Sequence, residues 1–221
     1  MRVGIFGGTF NPIHMAHLYI AEISREAMGL DEVVFVPAAV PPHKEVEYGV
    51  SAQHRMRMAE LAVATNPAFK VSDLEIKMAP APSYSVNTID AFRKIYGEKA
   101  EIYFILGMDS FLDIGTWHAA DKLAARCDFV CTFRPGSDHA GLGKHKFVHE
   151  IDMVMLDMLD AGERELGKVE LVTGRYLWLV SGFSVDVSST DIRKRLKARK
   201  TVKYILPEAV LSYIIDNKLY R

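Results

Sequence analysis

Short apolar runs alternate with longer amphipathic stretches along most of this chain, and this alternation constrains the fold more than any other feature. The apolar runs predict strands at residues 2–6, 33–36, 69–76, 102–106, 129–133 and 176–180. The amphipathic stretches predict helices at residues 14–28, 52–65, 85–96, 118–125, 191–198 and 207–217. Alternation of this kind is typical of an α/β fold, with a parallel sheet covered by helices on both faces and, here, a helical C-terminal end.

The pattern weakens between residues 135 and 169. The run PGSDHAGLGKHK is typical of a loop, and residues 147–162 are typical of a helix. A chain of 221 residues is long enough for one domain with one buried core. We therefore expect a single domain over residues 1–221, with an insertion at about residues 137–170.

Charge and hydropathy exclude several classes of partner. The chain has 27 basic and 28 acidic residues, a net charge of -1, so we expect no general attraction to nucleic acid or anionic lipid. No apolar run reaches the roughly 20 residues that a bilayer span needs, and the N-terminus lacks a signal-peptide layout, which predicts a cytoplasmic protein. Cys127 and Cys131 lie four residues apart in a predicted strand, about 13 Å, so we expect buried free thiols.

The run GGTFNPIHMAH stands between the first predicted strand and the first predicted helix. Gly7 and Gly8 would let the backbone approach a ligand closely, and the helix N-terminus near His14 would favour an anion. His14 and His17 are three residues apart and therefore share one helix face. The run matches neither the dinucleotide-binding glycine pattern nor the P-loop. It predicts a phosphate site of another kind.

GGTFNPIHMAH resembles the T/HxGH signature of the adenylyl- and cytidylyltransferase superfamily, which implies a Rossmann-like, doubly wound parallel sheet and ATP phosphates bound at this motif. Further motifs follow in order: VPPHK, SYSVNT, GMDSF, Trp117, RPG, VSSTDIRKRL and YILPEAVLSYI. Together they resemble the bacterial nicotinate-nucleotide adenylyltransferase family over almost the whole chain. The family usually has Asp where Asn11 stands and Gly where Ala16 stands.

The resemblance implies an ATP site built from two segments. Its residues are Gly7, Gly8, Thr9, Phe10, His14, His17, Ser188, Ser189, Thr190 and Arg193. The residues of the second segment support this independently, because three hydroxyl residues precede a basic amphipathic helix and could present hydroxyl and N–H groups at its N-terminus. We expect His14, His17, Lys44 and Arg193 to be the catalytic groups, supplying positive charge to the phosphates.

The resemblance also implies a site for the pyridine nucleotide. Its residues are His43, Lys44, Ser83, Tyr84, Ser85, Gly107, Asp109, Trp117 and Arg134. The carboxylate of Asp109 suits ribose hydroxyls, the flat ring of Trp117 suits a pyridine ring, and Arg134 suits a phosphate. The loop of residues 83–85 would recognise the nicotinate carboxylate.

The implied reaction is transfer of the adenylyl group of ATP to nicotinate mononucleotide, giving nicotinate adenine dinucleotide and pyrophosphate in NAD biosynthesis. We expect Mg²⁺ to accompany ATP, with no metal site formed by protein carboxylates. The partners expected are therefore ATP and nicotinate mononucleotide, and a homo-oligomer is left open. Two alternatives stay open: nucleotidyl transfer to another phosphorylated acceptor such as phosphopantetheine, and a nucleotide-sensing module without turnover.

Overall fold

The computed structural model describes residues 1–42, 46–133, 141–182 and 185–221. Its strands are β1 (Arg2–Gly8), β2 (Glu32–Pro37), β3 (Phe69–Val71), β4 (Glu101–Gly107), β5 (Asp128–Phe133), β6 (Leu166–Glu170) and β7 (Tyr176–Ser181). Its helices are α1 (Met15–Met28), α2 (Ala52–Val63), α3 (Leu74–Met78), α4 (Ser85–Tyr96), α5 (Met108–Asp113), α6 (Ala120–Arg126), α7 (Met153–Asp160), α8 (Ser189–Lys197) and α9 (Glu208–Asp216). Short 3₁₀ turns lie at Glu47–Gly49, Ile114–Thr116 and Leu142–Lys144.

The strands form a seven-stranded sheet in the order β3-β2-β1-β4-β5-β7-β6. β2 runs parallel to β3, and β4 runs parallel to β1 and β5. β7 runs parallel to β5, whereas β6 is antiparallel to β7. The order descends to β1 and then rises again, which is the doubly wound arrangement expected for this α/β fold and confirms it.

Burial explains why the strands appear in the sequence as continuous apolar runs rather than as alternating patterns. Every residue of β2 is buried, and the apolar positions of β1, β4 and β5 form much of the core. A strand covered on both faces must be apolar at successive positions. Cys127 and Cys131 are buried and free, as expected, and burial raises the pKa of both thiols.

The strand predicted over residues 69–76 is wrong in its second half. β3 ends at Val71, and α3 begins at Leu74. The hydroxyl of Ser72 accepts a hydrogen bond from the N–H of Leu74 at 3.2 Å, and Lys77 pairs with Asp73 at 2.9 Å across one helical turn. These local side-chain interactions favour a helix start over a continued strand.

The segment of residues 141–170 also differs from the prediction. The helix predicted over residues 147–162 is shorter, because Asp152 caps α7 by accepting from the N–H of Met155 at 3.2 Å, and Val148 forms a β-bridge with Leu171. β6 was not predicted, since its sequence LGKVE carries few apolar residues. α5 was not predicted either. The single domain with an insertion at residues 137–170 stays a prediction.

Two compact units divide the chain. The first unit comprises Met1–Phe6, Glu22–Glu32 and Tyr84–Ser184, and the second comprises Gly7–Ala21, Val33–Ser83 and Val185–Arg221. Among the described residues, no helix is both long enough and apolar enough to cross a membrane. The candidate site residues fall in both units.

Candidate active site

In the second unit, the loop between β1 and α1 packs back on itself at Gly8. A Cβ atom at this position would lie 2.9 Å from the ring of Phe10, closer than side chains tolerate, so glycine is required here. Phe10 is itself buried and has a φ of 48°, in the left-handed region that most residues avoid. We call residues 7–14 the signature loop.

Arg55 of α2 donates a hydrogen bond to the backbone of the signature loop. Its side chain is fully buried, and Nη1 donates to the carbonyl of Thr9 at 2.8 Å. The guanidinium also donates to the carbonyls of Ala39 and Val50, each at 3.4 Å. Desolvation lowers the pKa of Arg55 from a very high ordinary value, and Glu75 and Tyr220 partly offset this effect. Arg55 therefore places a buried positive charge in contact with the loop backbone.

Arg193 of α8 holds the next part of the loop. It is 6% exposed, and Nη1 donates to the carbonyl of Asn11 at 2.8 Å. Nη2 pairs with the carboxylate of Glu47 at 2.8 Å and donates to the hydroxyl of Thr190 at 3.1 Å. Arg193 is thus brought to the signature loop, as the ATP assignment requires. Nη1 and Nη2 already bind protein acceptors, whereas the buried Nε has no hydrogen-bond partner among the described residues.

His14 and His17 lie together at the start of α1. Their rings stack with centroids 3.7 Å apart, and the N–H of His14 donates to Nδ1 of His17 at 3.2 Å. A backbone donor at Nδ1 leaves the ring proton of a neutral His17 on Nε2. Nδ1 of His14 is buried and has no hydrogen-bond partner within the described part of the chain.

Burial sets the charge of this pair. Desolvation lowers the pKa of His14 to about 4, and desolvation with repulsion from His14 holds the pKa of His17 well below 6.5. Both rings are therefore neutral near pH 7, which differs from the expected positive charge. They can act as N–H donors. Among the described residues, Arg55 and Arg193 are cations whose side chains donate to carbonyls of the loop.

The N-terminus of α8 brings hydroxyl groups to the same loop. The hydroxyl of Ser188 caps the helix, accepting from the N–H of Asp191 at 3.0 Å and donating to its carboxylate at 2.7 Å. Ser189 donates to the carbonyl of Pro12 at 2.9 Å. Thr190 only accepts, from Arg193, and no acceptor for its proton lies among the described residues. Of the three predicted hydroxyls, that of Thr190 is the one left to donate to a phosphate.

In the first unit, Gly107 ends β4 and begins the turn into α5. A Cβ atom there would meet no described atom within 4 Å, so this position borders open space. Asp109 is exposed in the first turn of α5. Trp117 follows the turn at Ile114–Thr116, is partly exposed, and meets Phe104 edge-on with ring centroids 6.3 Å apart. These residues can present a carboxylate and an aromatic surface to a ligand.

The SYSVNT motif begins α4. Tyr84, its N-cap residue, stacks on His118 with ring centroids 4.0 Å apart. In the second unit, Ser83 exchanges hydrogen bonds with Val40, its N–H donating to the Val40 carbonyl at 2.9 Å and its hydroxyl accepting from the Val40 N–H at 3.1 Å. The hydroxyl of Ser83 thus orders the chain before the PPHK motif.

Some site residues were missed, and others lie outside the described structure. His43, Lys44 and Arg134 fall outside the described residues, so their roles stay predictions. Four neighbours of the site were not predicted: Glu47, Arg55, His118 and Tyr220. Their sequence surroundings resemble ordinary surface helices and loops. They come into contact with the predicted site residues only when the chain is folded.

Comparison with known proteins gives the family to which this chain is similar. Residues 5–195 match the family model described as Cytidylyltransferase-like. A protein of Thermoanaerobacter sp. (strain X514) named "Probable nicotinate-nucleotide adenylyltransferase" is 42% identical over 221 residues, covering 100% of this chain and 95% of its own length. A protein of Geobacter sulfurreducens with the same name is 40% identical over 220 residues, covering 100% and 98%.

Solved structures support the fold. The nicotinic acid mononucleotide adenylyltransferase of Plasmodium falciparum, complexed with NaAD, superposes with a TM-score of 0.72 at 19% identity, covering 99% of this chain and 97% of that one. At that identity the likeness concerns the fold alone. The full-length sequence similarity carries the assignment, and the chain belongs to the cytidylyltransferase-like family and, within it, to the nicotinate-nucleotide adenylyltransferases.

Proposed function

We propose that this chain transfers the adenylyl group of MgATP to nicotinate mononucleotide, forming nicotinate adenine dinucleotide and pyrophosphate in NAD biosynthesis. One observation carries the ATP half of this proposal. The signature loop, the stacked pair His14 and His17, and the N-terminus of α8 converge in one compact unit. The family of the chain, and the names of its relatives, support the choice of acceptor.

The reaction is a displacement at the α-phosphorus of ATP. A phosphate oxygen of nicotinate mononucleotide attacks this phosphorus, a new P–O bond forms, and the bond to the oxygen shared with the β-phosphate breaks. Pyrophosphate leaves with the electron pair of that bond. The nucleophile already carries a charge of about -1.5 to -2 near pH 7, so no general base is needed. The protein's part is positioning and electrostatic stabilisation.

The second unit supplies the groups for ATP. His14 and His17 act as neutral N–H donors to phosphate oxygens, and the Thr190 hydroxyl with the first N–H groups of α8 binds the triphosphate. The buried guanidiniums of Arg55 and Arg193 add positive potential. Their contacts with Thr9 and Asn11 occupy carbonyl oxygens that would repel a phosphate. By resemblance, Lys44 adds a direct cation.

Magnesium would arrive as part of the substrate. Among the described residues, no group of three or more His, Cys, Asp or Glu side chains is placed to hold a metal ion. Mg²⁺ dehydrates reluctantly and commonly keeps several water ligands beside substrate phosphates. In the proposed reaction the substrate is MgATP, in which the nucleotide and water provide the coordination.

The first unit supplies several of the groups for the pyridine nucleotide. The ring of Trp117 stacks on the pyridine, and the carboxylate of Asp109 accepts from the ribose hydroxyls. We propose that the nicotinate carboxylate binds at the N-terminus of α4, beside Tyr84, Ser85 and the ring of His118. A helix N-terminus favours an anion over a neutral amide, which accounts for a preference for nicotinate over nicotinamide.

Pyrophosphate release is the direct test. The purified protein is given MgATP with nicotinate mononucleotide, nicotinamide mononucleotide or phosphopantetheine, and kcat/KM is compared among the three. We expect the nicotinate form to be clearly preferred. Preference for another acceptor would overturn the roles of Asp109 and Trp117 but keep the chemistry of the signature loop. ATP binding without pyrophosphate release from any acceptor would indicate a sensing module instead.

A further inference from the structure

A buried hydroxyl beyond α9 contacts the signature loop. Tyr220 is 2% exposed, and its hydroxyl lies 2.7 Å from Oδ1 of Asn11, which is 4% exposed. Burial raises the pKa of Tyr220, so the hydroxyl keeps its proton at neutral pH. None of the sequence motifs includes this residue.

The contacts of Asn11 fix the direction of this hydrogen bond. Its Nδ2 atom lies 3.1 Å from the backbone carbonyl of Glu47, which can only accept a hydrogen bond. The carboxamide nitrogen must therefore face Glu47, and the carboxamide oxygen must face Tyr220. Tyr220 consequently donates. Without this donor, the buried Oδ1 of Asn11 would have no hydrogen-bond partner among the described residues.

Asn11 in turn connects to the arginine beside the predicted triphosphate site. The backbone carbonyl of Asn11 accepts from Nη1 of Arg193. The carboxylate of Glu47, whose backbone carbonyl accepts from Asn11, pairs with Nη2 of Arg193. The four residues Asn11, Glu47, Arg193 and Tyr220 thus form one network that joins four separate parts of the chain; Asn11, Arg193 and Tyr220 are buried, and Glu47 is exposed. Fixing one carboxamide fixes the positions of the loop backbone and of the guanidinium together.

We propose that Tyr220 is a positioning residue for ATP: its hydroxyl holds the Asn11 carboxamide so that the signature loop and Arg193 are set in place before the nucleotide binds. This inference rests on the proposed function of the signature loop. Tyr220 acts through Asn11 and does not touch the substrate. Because the network contains Asn11 and Arg193 of the signature loop and α8, and no residue proposed for the pyridine nucleotide, we expect its loss to affect ATP and not the pyridine nucleotide.

The network also explains an asparagine at position 11, where the family usually has aspartate. A carboxamide can donate to the Glu47 carbonyl and accept from Tyr220 at the same time. An ionised carboxylate could only accept, and would place its charge against the Glu47 carbonyl. In this chain, the asparagine and the tyrosine are complementary.

The experiment compares wild type with Tyr220→Phe, which removes one hydroxyl and keeps the ring. KM for ATP, KM for nicotinate mononucleotide and kcat are measured by pyrophosphate release, and ATP affinity is measured separately by calorimetry. We expect KM and Kd for ATP to rise about 5- to 10-fold, as for the loss of one buried hydrogen bond. KM for nicotinate mononucleotide should stay within about twofold of wild type.

Tyr213→Phe is the matched control. The Tyr213 hydroxyl is bonded to Nδ1 of His54 at 2.8 Å, in the same unit but outside this network. It should leave KM for ATP unchanged. The proposal is wrong if Tyr220→Phe leaves ATP affinity unchanged or raises the KM of both substrates alike. It is also wrong if Tyr213→Phe raises KM for ATP as much as Tyr220→Phe does.

A double-variant cycle separates positioning from general destabilisation. If Tyr220 acts through Asn11, adding Tyr220→Phe to an Asn11→Ala variant should weaken ATP binding no further, whereas independent effects would multiply and contradict the proposal. The calorimetric measurement needs no turnover. It therefore tests the role of Tyr220 even if the proposed reaction with nicotinate mononucleotide is not observed.

Discussion

The N–H of His14 donates to Nδ1 of His17 over 3.2 Å, and this hydrogen bond assigns the ring proton of His17 to Nε2. A neutral imidazole with a fixed tautomer is a preorganised donor. It can stabilise charge that develops on the phosphate oxygens without gaining or losing a proton. We therefore propose that the pair acts by orientation rather than by charge.

His17→Ala should lower kcat by about 10²- to 10³-fold, the range for loss of one preorganised donor, while ATP still binds. Stopped-flow pyrophosphate release and calorimetry would measure the two effects separately. His54→Ala is a suitable control, since His54 bonds to Tyr213 and lies in α2. Near-normal turnover of His17→Ala would exclude a catalytic role for this ring.

Stability should fall as the pH is lowered, because His14 titrates near pH 4 in the folded protein and near 6.5 when unfolded. Between these values the unfolded chain binds more protons, so the free energy of unfolding decreases as the pH falls from about 6.5 towards 4. We expect His14 to account for about 2 to 3 kcal/mol of the loss between pH 7 and pH 4.5.

Urea unfolding of wild type and His14→Gln at both pH values measures this contribution. The variant should lose less stability on acidification than wild type. His118→Gln is the control, since His118 is exposed. Parallel pH dependence of wild type and His14→Gln would show that His14 does not titrate in this way.

The hydroxyls at the N-terminus of α8 should have different roles, with Thr190 affecting ATP binding and Ser188 affecting stability. Thr190→Val removes the hydroxyl left to bind phosphate, and KM for ATP should rise about 5- to 10-fold. Ser188→Ala removes a helix cap, which should cost about 1 kcal/mol of stability and leave KM for ATP close to wild type. Steady-state kinetics with thermal unfolding would check both, and a reversed order of effects would overturn the assignment.

Trp117 should affect only the pyridine nucleotide. Trp117→Leu should raise KM for nicotinate mononucleotide about tenfold, since stacking on an aromatic ring is worth about 1 to 3 kcal/mol per base. Trp117→Phe should recover much of this affinity. Trp178→Phe, which instead breaks a bond from Nε1 to Asp128, is the control. A rise in KM for ATP alone would place Trp117 elsewhere in the site.

The sequence predicts most of this fold because most of its strands are buried, and a buried strand is visible as a short apolar run. β1, β2, β4, β5 and β7 each carry an uninterrupted apolar run, and burial on both faces requires such a run. β6 lies at the edge of the sheet, where alternate exposure allows Lys168 and Glu170, so its pattern is weak. α3 was missed because its start depends on a hydrogen bond from the Leu74 N–H to the Ser72 hydroxyl and on the pairing of Asp73 with Lys77.

The candidate site likewise has residues that the sequence indicates and residues that it does not. The signature loop and the hydroxyl run before α8 are contiguous motifs, so their residue types and spacing indicate a function directly. Arg55 and Tyr220 have no such signal, because an arginine in a helix and a tyrosine near basic residues are ordinary surface patterns. Their role depends on burial against a segment far away in sequence. The neutrality of His14 and His17 also depends on burial, which the sequence does not show.

The hydrogen bonds of Asn11 to Arg193 and Tyr220 join residues 182 and 209 positions apart. Contacts of such long sequence separation cost chain entropy before they contribute stability, so we expect them to form late in folding. The signature loop can therefore gain its final arrangement only after the segments that contain these partners have folded. Binding competence for ATP should appear in the last phase of refolding, well after most of the helical signal.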